Sequence, residues 1–281
     1  MRKSRAMLIL KVVLAALAVA AALLFLLVWA YQEYGIYKFD PTRMEPAEVG
    51  LPGVRVVRFR SEDGAEVSAW IAPPRAAMPV LLSFFGGFAC VGPSAGRLKP
   101  LVDQGHGLAM LVYRGSSGDG GLPSEDNFAR DARALYDQLD ALLGQAVPAD
   151  RRVIHGFSLG SSVAAGLAAE RPAAGLILEA SFDRCCRWYS MRLFRLPMCL
   201  LMWRERHDVI DKLAGVAVPK LFLHGAKDTA IPIDWAQKLY AAAVGEKRFV
   251  TYEQGDHADL VEHGALTEIA AFVAALPRTG R

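Results

Sequence analysis

A serine stands at the centre of the pentapeptide GFSLG, residues 156–160, between a β-rich run and an alanine-rich helical pattern. Small residues on both sides of a serine allow the tight strand-to-helix turn that holds a hydroxyl clear of a sheet. Such a serine becomes a nucleophile when a base takes its proton. We therefore predict that Ser158 is a nucleophile, and that the backbone N–H of Leu159 donates to an oxyanion at the helix start.

Six histidines are candidates for that base. His257 is the best of them, because it lies in the loop after the last predicted strand and should face the same sheet edge as Ser158. His263 is a distant second choice, since it falls within the final predicted helix, and His224 at a strand end is expected to be structural. The remaining three are His106, His155 and His207.

A carboxylate must hold the base in the right tautomer. Asp228 follows a predicted strand in the turn HGAKD, which gives the chain order Ser158, Asp228, His257, an order that serine hydrolases use. Asp183, just after an earlier strand, is the alternative acid. Asp256 precedes the histidine directly and is expected to face solvent.

Short apolar strands that alternate with helical patterns must position these residues. The predicted strands cover 54–59, 66–73, 79–85, 107–113, 151–157, 174–180, 220–225 and 247–252. The predicted helices cover 125–143, 159–170, 234–244 and 259–276. Nearly continuous apolar runs are typical of strands covered on both faces. The alternation predicts an α/β fold with a mostly parallel sheet, helices on both faces and an antiparallel pair at the start.

Residues 182–212 interrupt this alternation with bulky apolar side chains and six arginines, and we call them the insertion. The arginines are Arg184, Arg187, Arg192, Arg195, Arg204 and Arg206. Because α/β folds bind ligands at the carboxyl edge of the sheet, we interpret the insertion as a lid, with two ordinary surface helices as the alternative. Its composition would let cations meet lipid phosphates while apolar side chains dip below them. Packing on the core and ordinary surface contacts of the arginines are the equal alternative.

Residues 12–30 carry no charge, and at 1.5 Å per residue they extend about 28 Å, close to the hydrocarbon core of a bilayer. They predict a transmembrane helix; a cleaved signal peptide is the alternative, although its apolar part is usually about 7–15 residues long. Four basic residues precede the span: Arg2, Lys3, Arg5 and Lys11. Because the first charge after it is Glu33, we expect a cytoplasmic N-terminus and an extracytoplasmic catalytic domain.

The 281-residue chain divides into a predicted tip and anchor at 1–35, a linker at 36–53 and a catalytic domain at 54–278. Its net charge of +3 comes from the basic residues before the span, so no basic stripe is left to bind nucleic acid. The four cysteines lack zinc-like spacing and are expected to be unpaired thiols, with one disulfide as the alternative in an export compartment. They are Cys90, Cys185, Cys186 and Cys199.

Several segments beyond the pentapeptide resemble a known family. They are YRGSSGDGGLPSEDNFARDA at 113–132, the stretch 196–232 and GDHADL at 255–260. Over about residues 50–276, the chain resembles the α/β-hydrolase superfamily, in particular its N-terminally anchored branch with the bud-emergence-type and depalmitoylating hydrolases. The resemblance implies an α/β-hydrolase fold and a serine hydrolase with Ser158, Asp228 and His257 in the triad positions.

Two departures from that branch concern the loops around the nucleophile. Residues 85–88 read FGGF where the branch has histidine, glycine and asparagine. The N–H of Gly87 can still complete an oxyanion hole, but Phe85 replaces the side chain that braces the loop, which leaves the rigidity of the loop open. Ala258 replaces an asparagine after the histidine, a change expected to tune the loop.

We therefore predict a membrane-anchored serine hydrolase that cleaves carboxylic esters or thioesters of a small-molecule or lipid-like acyl substrate through an acyl-serine. In this mechanism Ser158 attacks, His257 shuttles the proton and Asp228 orients His257, while Gly87 and Leu159 hold the oxyanion. Amide or peptide hydrolysis by the same residues is one alternative, and a non-catalytic membrane scaffold is another. No metal, organic cofactor or nucleic-acid partner is expected, and the sequence names no protein partner.

Overall fold

Eight strands form a single sheet in the computed structural model, which describes residues 2–193 and 195–277. The strands are β1 (Arg55–Arg60), β2 (Glu66–Ala72), β3 (Val80–Phe84), β4 (Gly107–Leu111), β5 (Arg152–Phe157), β6 (Gly175–Glu179), β7 (Lys220–Gly225) and β8 (Lys247–Tyr252). Their order across the sheet is β1-β2-β4-β3-β5-β6-β7-β8. β2 runs antiparallel to β1 and β4, whereas all other neighbours are parallel. The mostly parallel sheet predicted from the apolar runs is confirmed.

Eleven α-helices occur in the described part of the chain, together with two short 3-10 helices at Pro46–Val49 and Ala149–Arg151. The first five are α1 (Arg2–Tyr34), α2 (Val91–Gly96), α3 (Lys99–Asp103), α4 (Glu125–Asp137) and α5 (Leu139–Leu143). The others are α6 (Gly160–Glu170), α7 (Cys185–Arg192), α8 (Met198–Leu201), α9 (Val209–Leu213), α10 (Ile233–Ala242) and α11 (Ala265–Ala275).

The glycines of two central strands show that helices cover both faces of the sheet. A side chain at Gly156 of β5 would point into α6, 2.7 Å from the Cβ of Ala164. Gly175 of β6 lies in register with Val153, which faces the opposite side of β5 from Gly156. A side chain at Gly175 would meet Leu276 at the end of α11. The helices on both faces are therefore confirmed.

The helices differ from the predictions in three respects. The helix predicted at 125–143 breaks at Gln138, where the backbone leaves the helical region and α5 starts anew. The helix predicted at 259–276 begins only at Ala265, because Gly264 adopts a left-handed conformation with φ 96°. His263 therefore lies in a turn. α2 and α3 were not predicted, since each is short and contains proline near its start.

The N-terminal helix α1 is long and apolar enough between Arg5 and Tyr34 to cross a membrane, by length and composition. A signal sequence meets the same criterion. Most of its large apolar side chains are exposed, as Leu8 and Leu17 are, which is what a surrounding bilayer would cover. Near its end, however, Val28 is buried against the rest of the chain.

The insertion folds into α7, α8 and α9 between β6 and β7. A turn brings α8 back against α7, so that the Cα atoms of Cys186 and Cys199 lie 4.9 Å apart and the two residues form a disulfide. The expectation of unpaired thiols was wrong for this pair, because the turn depends on tertiary packing. Cys90 and Cys185 are free and buried. Phe194 and the predicted domain end at 278 lie outside the described residues.

Candidate active site

The tight turn predicted around Ser158 lies between β5 and α6, and its backbone is strained. Ser158 has a φ of 51°, a left-handed conformation that costs a non-glycine residue about 1–3 kcal/mol. A Cβ on Gly156 would lie 2.5 Å from the carbonyl oxygen of Gly160, and a Cβ on Gly160 would lie 2.0 Å from that of Phe84. Both flanking positions therefore require glycine.

Three predicted residues meet at the carboxyl edge of the sheet, where β5, β7 and β8 end. The Oγ of Ser158 lies 3.0 Å from Nε2 of His257, and Nδ1 of His257 lies 2.8 Å from Oδ2 of Asp228. The other carboxylate oxygen of Asp228 accepts hydrogen bonds from the backbone N–H groups of Ala230 at 2.9 Å and Ile231 at 2.7 Å. This chain of contacts can carry a proton from a hydroxyl to an imidazole that a fixed carboxylate orients.

Two neighbours support the loops that carry the acid and the base. His224 is buried, which lowers its pKa, and its Nε2 lies 2.9 Å from the carbonyl oxygen of Ile231 and 3.3 Å from Oδ2 of Asp228. The Oδ1 of Asp256 accepts hydrogen bonds from the N–H of Thr229 at 2.9 Å and of His257 at 2.8 Å. These N–H groups lower the pKa of Asp256. The same hydrogen bonds tie the two loops together, although the sequence suggested that Asp256 faces solvent.

The alternative acid and base lie elsewhere. Asp183 is fully buried and its carboxylate is neutralised by Arg187 at 2.8 Å and Lys238 at 2.9 Å. His263 lies 3.5 Å from the carboxylate of Asp259. Within the described residues, neither alternative makes a hydrogen bond or ion pair with His257.

An apolar cleft of about 570 Å³, measured with its open mouth, lies beside Ser158 and His257. The residues of the insertion and the linker that line it are Phe182, Cys185, Trp188, Tyr189, Ile36, Tyr37 and Lys38. Burial raises the pKa of the Cys185 thiol to about 12, so the thiol stays protonated and does not compete as a nucleophile. The insertion thus forms one wall of the cleft.

Gly87 and Leu159, the expected oxyanion donors, both border the cleft. A Cβ on Gly87 would lie 3.7 Å from the side chain of Leu159, so the two loops are in contact. The ring of Phe85 is buried 4.4 Å from that of Tyr113, and the Tyr113 hydroxyl donates a hydrogen bond to the Phe85 carbonyl oxygen at 3.1 Å. Aromatic packing, with Phe39 on the other side, therefore braces the loop in place of the histidine.

Comparison with known proteins agrees with this architecture. No family model matches the chain. The chain is 31% identical over 253 residues to the uncharacterized protein Rv2307c of Mycobacterium tuberculosis H37Rv, covering 88% of each protein. It is 27% identical over 221 residues to the alpha/beta hydrolase domain-containing protein WAV2 of Arabidopsis thaliana, covering 72% of this chain and 71% of WAV2. The chain belongs to the α/β-hydrolase superfamily.

Solved structures confirm the fold of this α/β-hydrolase. The esterase Pf2001 of Pyrococcus furiosus superimposes with a TM-score of 0.66 at 15% identity, covering 84% of this chain and 99% of the esterase. An acylaminoacyl peptidase of Pyrococcus horikoshii gives a TM-score of 0.65 at 16% identity, covering 81% of this chain and 43% of the peptidase. At such identities the likeness concerns the fold alone.

Arg114 and Glu125 of this α/β-hydrolase do not line the cleft and instead form ion pairs. Arg114 donates to Asp131 at 2.6 and 2.9 Å and to Asp63 at 2.7 and 3.0 Å. Glu125 accepts a hydrogen bond from Lys212 at 2.7 Å. Burial alone would raise the pKa of Glu125, but the facing His207 and Lys212 groups lower it to about 2.

A buried polar network behind the cleft was missed by sequence reasoning. Nδ1 of His207 lies 3.0 Å from Oγ of Ser162, one turn after Ser158, and its Nε2 lies 2.6 Å from the Tyr37 hydroxyl. Tyr37 also donates a short hydrogen bond to Glu205. Burial lowers the pKa of His207 to about 4, so the imidazole is neutral at pH 7. The network joins the linker, the insertion and the nucleophile's helix.

Proposed function

We propose that this α/β-hydrolase is a membrane-anchored serine hydrolase that cleaves carboxylic esters or thioesters. The observation that carries the proposal is the continuous chain of contacts from Ser158 through His257 to Asp228, at 3.0 and 2.8 Å, beside an apolar cleft. A non-catalytic scaffold would have no use for the strained backbone of Ser158, which persists in folds mainly where function needs it.

In the proposed mechanism, Ser158 Oγ attacks the carbonyl carbon while its proton moves to Nε2 of His257. Asp228 accepts the hydrogen bond from Nδ1–H and stabilises the imidazolium that forms. The N–H groups of Gly87 and Leu159 donate to the oxyanion. His257 then gives the proton to the departing alkoxide or thiolate, and a water activated by the same imidazole releases the acid from the acyl-serine.

Ester and thioester substrates fit the cleft better than amides of a peptide. The walls contributed by Phe182, Trp188, Ile36 and Ile231 are apolar. The hydroxyl of Tyr37 is already committed to Glu205 and His207. Backbone N–H and C=O groups of a bound peptide would find few partners on these apolar walls, and each group left buried and unpaired would cost about 1–3 kcal/mol. An acyl chain makes no such demand.

Three observations support a retained anchor with an extracytoplasmic domain. Val28 and Gln32, near the end of α1, are buried against the domain, and cleavage of α1 as a signal would remove these contacts. The disulfide between Cys186 and Cys199 suits an oxidising compartment outside the cytoplasm. The basic residues before the span, absent after it until Lys38, favour the same orientation.

Labelling of the full chain in membranes by a fluorophosphonate probe tests the catalytic part. We expect the wild type and a Ser161→Ala control to label and Ser158→Ala to remain unlabelled, since the Ser161 hydroxyl donates to the Gly156 carbonyl oxygen rather than to a catalytic residue. Labelling that survives in Ser158→Ala, or an unreactive wild type, would overturn the serine-hydrolase proposal. Matched ester, thioester and amide substrates with one acyl group then decide the bond that is cleaved.

A reporter fused after the last residue tests the topology. We expect activity of a reporter that works only outside the cytoplasm, and retention of the full-length chain in the membrane fraction after high-salt washing. A chain shortened by the length of the anchor would identify a cleaved signal instead. A reporter active only in the cytoplasm would reverse the orientation.

A further inference from the structure

The end of α1 is clamped to the insertion by ring stacking and hydrogen bonds. The rings of Phe25 and Trp203 stack face to face, with centroids 4.7 Å apart and planes 1° apart. The side-chain oxygen of Gln32 accepts the backbone N–H groups of Trp203 at 3.2 Å and Arg204 at 2.9 Å. The Arg204 guanidinium lies 3.3 Å from the carboxylate of Glu33. The chain after α8 therefore runs along the last turns of the anchor.

This contact fixes the depth of Trp203. The uncharged run ends at Ala30, five residues after Phe25, so Phe25 lies about 7 Å inside the run along the helix axis. A ring stacked face to face on Phe25 lies at the same depth. If α1 spans a bilayer, Trp203 is therefore at the level of lipid, where tryptophan is favoured near the interface.

The insertion also presents exposed apolar side chains in α7, in α8, and in the chain between and after these helices. Leu200 in α8 is 86% exposed, and Met191, Leu196 and Trp203 are also exposed. We call these four residues the insertion tip. Exposure of these apolar side chains to water is unfavourable, whereas the boundary between headgroups and acyl chains of a bilayer would cover them.

The arginines of the insertion contribute less than their number suggested. Four of the six lie within 3.3 Å of a carboxylate: Arg184, Arg187, Arg204 and Arg206. Arg192 lies over the ring of Trp188. Arg195 forms no ion pair within the described residues and adjoins Leu196 of the tip. If the insertion contacts a membrane, burial of its apolar side chains therefore contributes more than binding of lipid phosphates by its arginines.

We propose that the insertion tip is embedded in the leaflet on the domain's side of the bilayer, and that the cleft takes an acyl chain from an ester of a lipid in that leaflet. The inference rests on the proposed anchored hydrolase. The helix that contributes Met191 to the tip also contributes Trp188 and Tyr189 to the cleft wall. Tyr31 of α1 packs edge-on against Tyr189 at 5.6 Å, so the cleft wall itself touches the anchor.

Quenching of tryptophan fluorescence by bromine tests the depth without requiring activity. The full chain is placed in phosphatidylcholine vesicles whose acyl chains are brominated near the carbonyl end. We expect the quenched fraction to fall in Trp203→Phe, which preserves stacking on Phe25, and in Trp29→Phe. It should not fall in Trp235→Phe, whose ring is buried in the soluble domain. A quenched fraction that falls in Trp29→Phe but not in Trp203→Phe would overturn the embedded tip. A quenched fraction that falls in neither variant would overturn the anchor itself.

A pair of charge substitutions tests the source of the substrate. Leu200→Asp changes the most exposed side chain of the tip, and Val244→Asp is the control, because Val244 is also exposed but lies before β8 at the opposite end of the sheet. Because Leu200→Asp removes apolar burial and adds a charge in lipid, we expect turnover of a long-chain lipid ester in vesicles to fall about tenfold or more.

Both variants should hydrolyse a short soluble ester at the wild-type rate, which reports on the catalytic residues alone. A Leu200→Asp enzyme that keeps wild-type activity on vesicles, or loses activity equally on both substrates, would overturn the embedded tip. A wild type that hydrolyses neither ester would instead contradict the proposed hydrolase.

Discussion

Two parts of the cleft are held by different kinds of interaction. We call the loops that carry Ser158, Asp228 and His257 its floor, and the insertion together with the linker its roof. In the floor, backbone groups fix the reacting residues: Ser158 N–H donates to the Glu179 carbonyl oxygen at 2.9 Å, and Asp228 accepts two backbone N–H groups. In the roof, side chains join separate segments: the disulfide links α7 to α8, and His207 contacts Tyr37 of the linker and Ser162 of α6. Backbone groups thus carry much of the geometry of Ser158 and Asp228, whereas the shape of the pocket depends on contacts between side chains of different segments.

The largest expected effect is on the floor. His257→Ala or Asp228→Asn should lower turnover by about four orders of magnitude or more, because the serine loses its base or the base loses its orientation. Steady-state hydrolysis of a short ester measures the loss. His263→Ala, in a turn near the same loop, is the control and should retain wild-type turnover. A nearly silent Asp228→Asn would show that another group orients His257.

Gly160→Ala should destabilise the fold by about 3 kcal/mol or more, because the new methyl group would lie 2.0 Å from the Phe84 carbonyl oxygen and the backbone would have to shift. Denaturant unfolding followed by circular dichroism measures the change. Gly215→Ala is the matched control, since nothing lies within 4 Å of its added Cβ. Equal stability of the two variants would mean that the turn is not close-packed.

Acid should lower the stability of the folded chain, because the buried His207 resists protonation. Because the pKa of His207 is about 4 in the folded chain and 6.5 in its ordinary state, the unfolded chain takes up the proton first. Stability is therefore full above pH 6.5 and falls by about 3 kcal/mol as the pH drops to 4. Thermal unfolding in detergent at several pH values measures this loss, which His207→Gln should reduce.

Two acids face the same network and affect the interpretation of that titration. Glu125, with a pKa of about 2, loses its contribution only below about pH 4.5, at the lower end of the pH range in which His207 acts. Burial raises the pKa of Glu205, which favours the folded state as the pH falls and so opposes the His207 effect. His207→Gln keeps both acids. An unchanged pH dependence in this variant would exclude His207 as its source.

The smallest effect should follow loss of the disulfide. Replacing Cys186 and Cys199 by serine frees a segment of 13 residues and should lower stability by about 2 kcal/mol, or about 4–8 °C in melting temperature. Labelling of Ser158 by a fluorophosphonate should continue at nearly the wild-type rate, because the floor has its own supports. A large fall in labelling would show that floor and roof are not independent. Reduction of the wild type should reproduce the double variant.

The same division explains what could be predicted from the sequence. The sheet and the positions of Ser158, Asp228 and His257 follow from local signals: apolar runs, a glycine-flanked turn and loops that directly follow strands. Contacts of the roof have no such signal, since Tyr37 and His207 are 170 residues apart and meet only in the folded chain. The bracing of Phe85 by Tyr113 depends on packing between strands in the same way.

The course of the chain after α1 also matters for any attempt to relocate the enzyme. Ile36 and Tyr37 leave the helix and at once become part of the cleft wall. A soluble fragment that begins beyond them would keep its catalytic residues but lose one side of its binding site. Fusing the domain to a different membrane helix would therefore change its substrate range as well as its location in the cell. In the proposed anchored hydrolase, the membrane helix and one side of the cleft are therefore one continuous piece of chain.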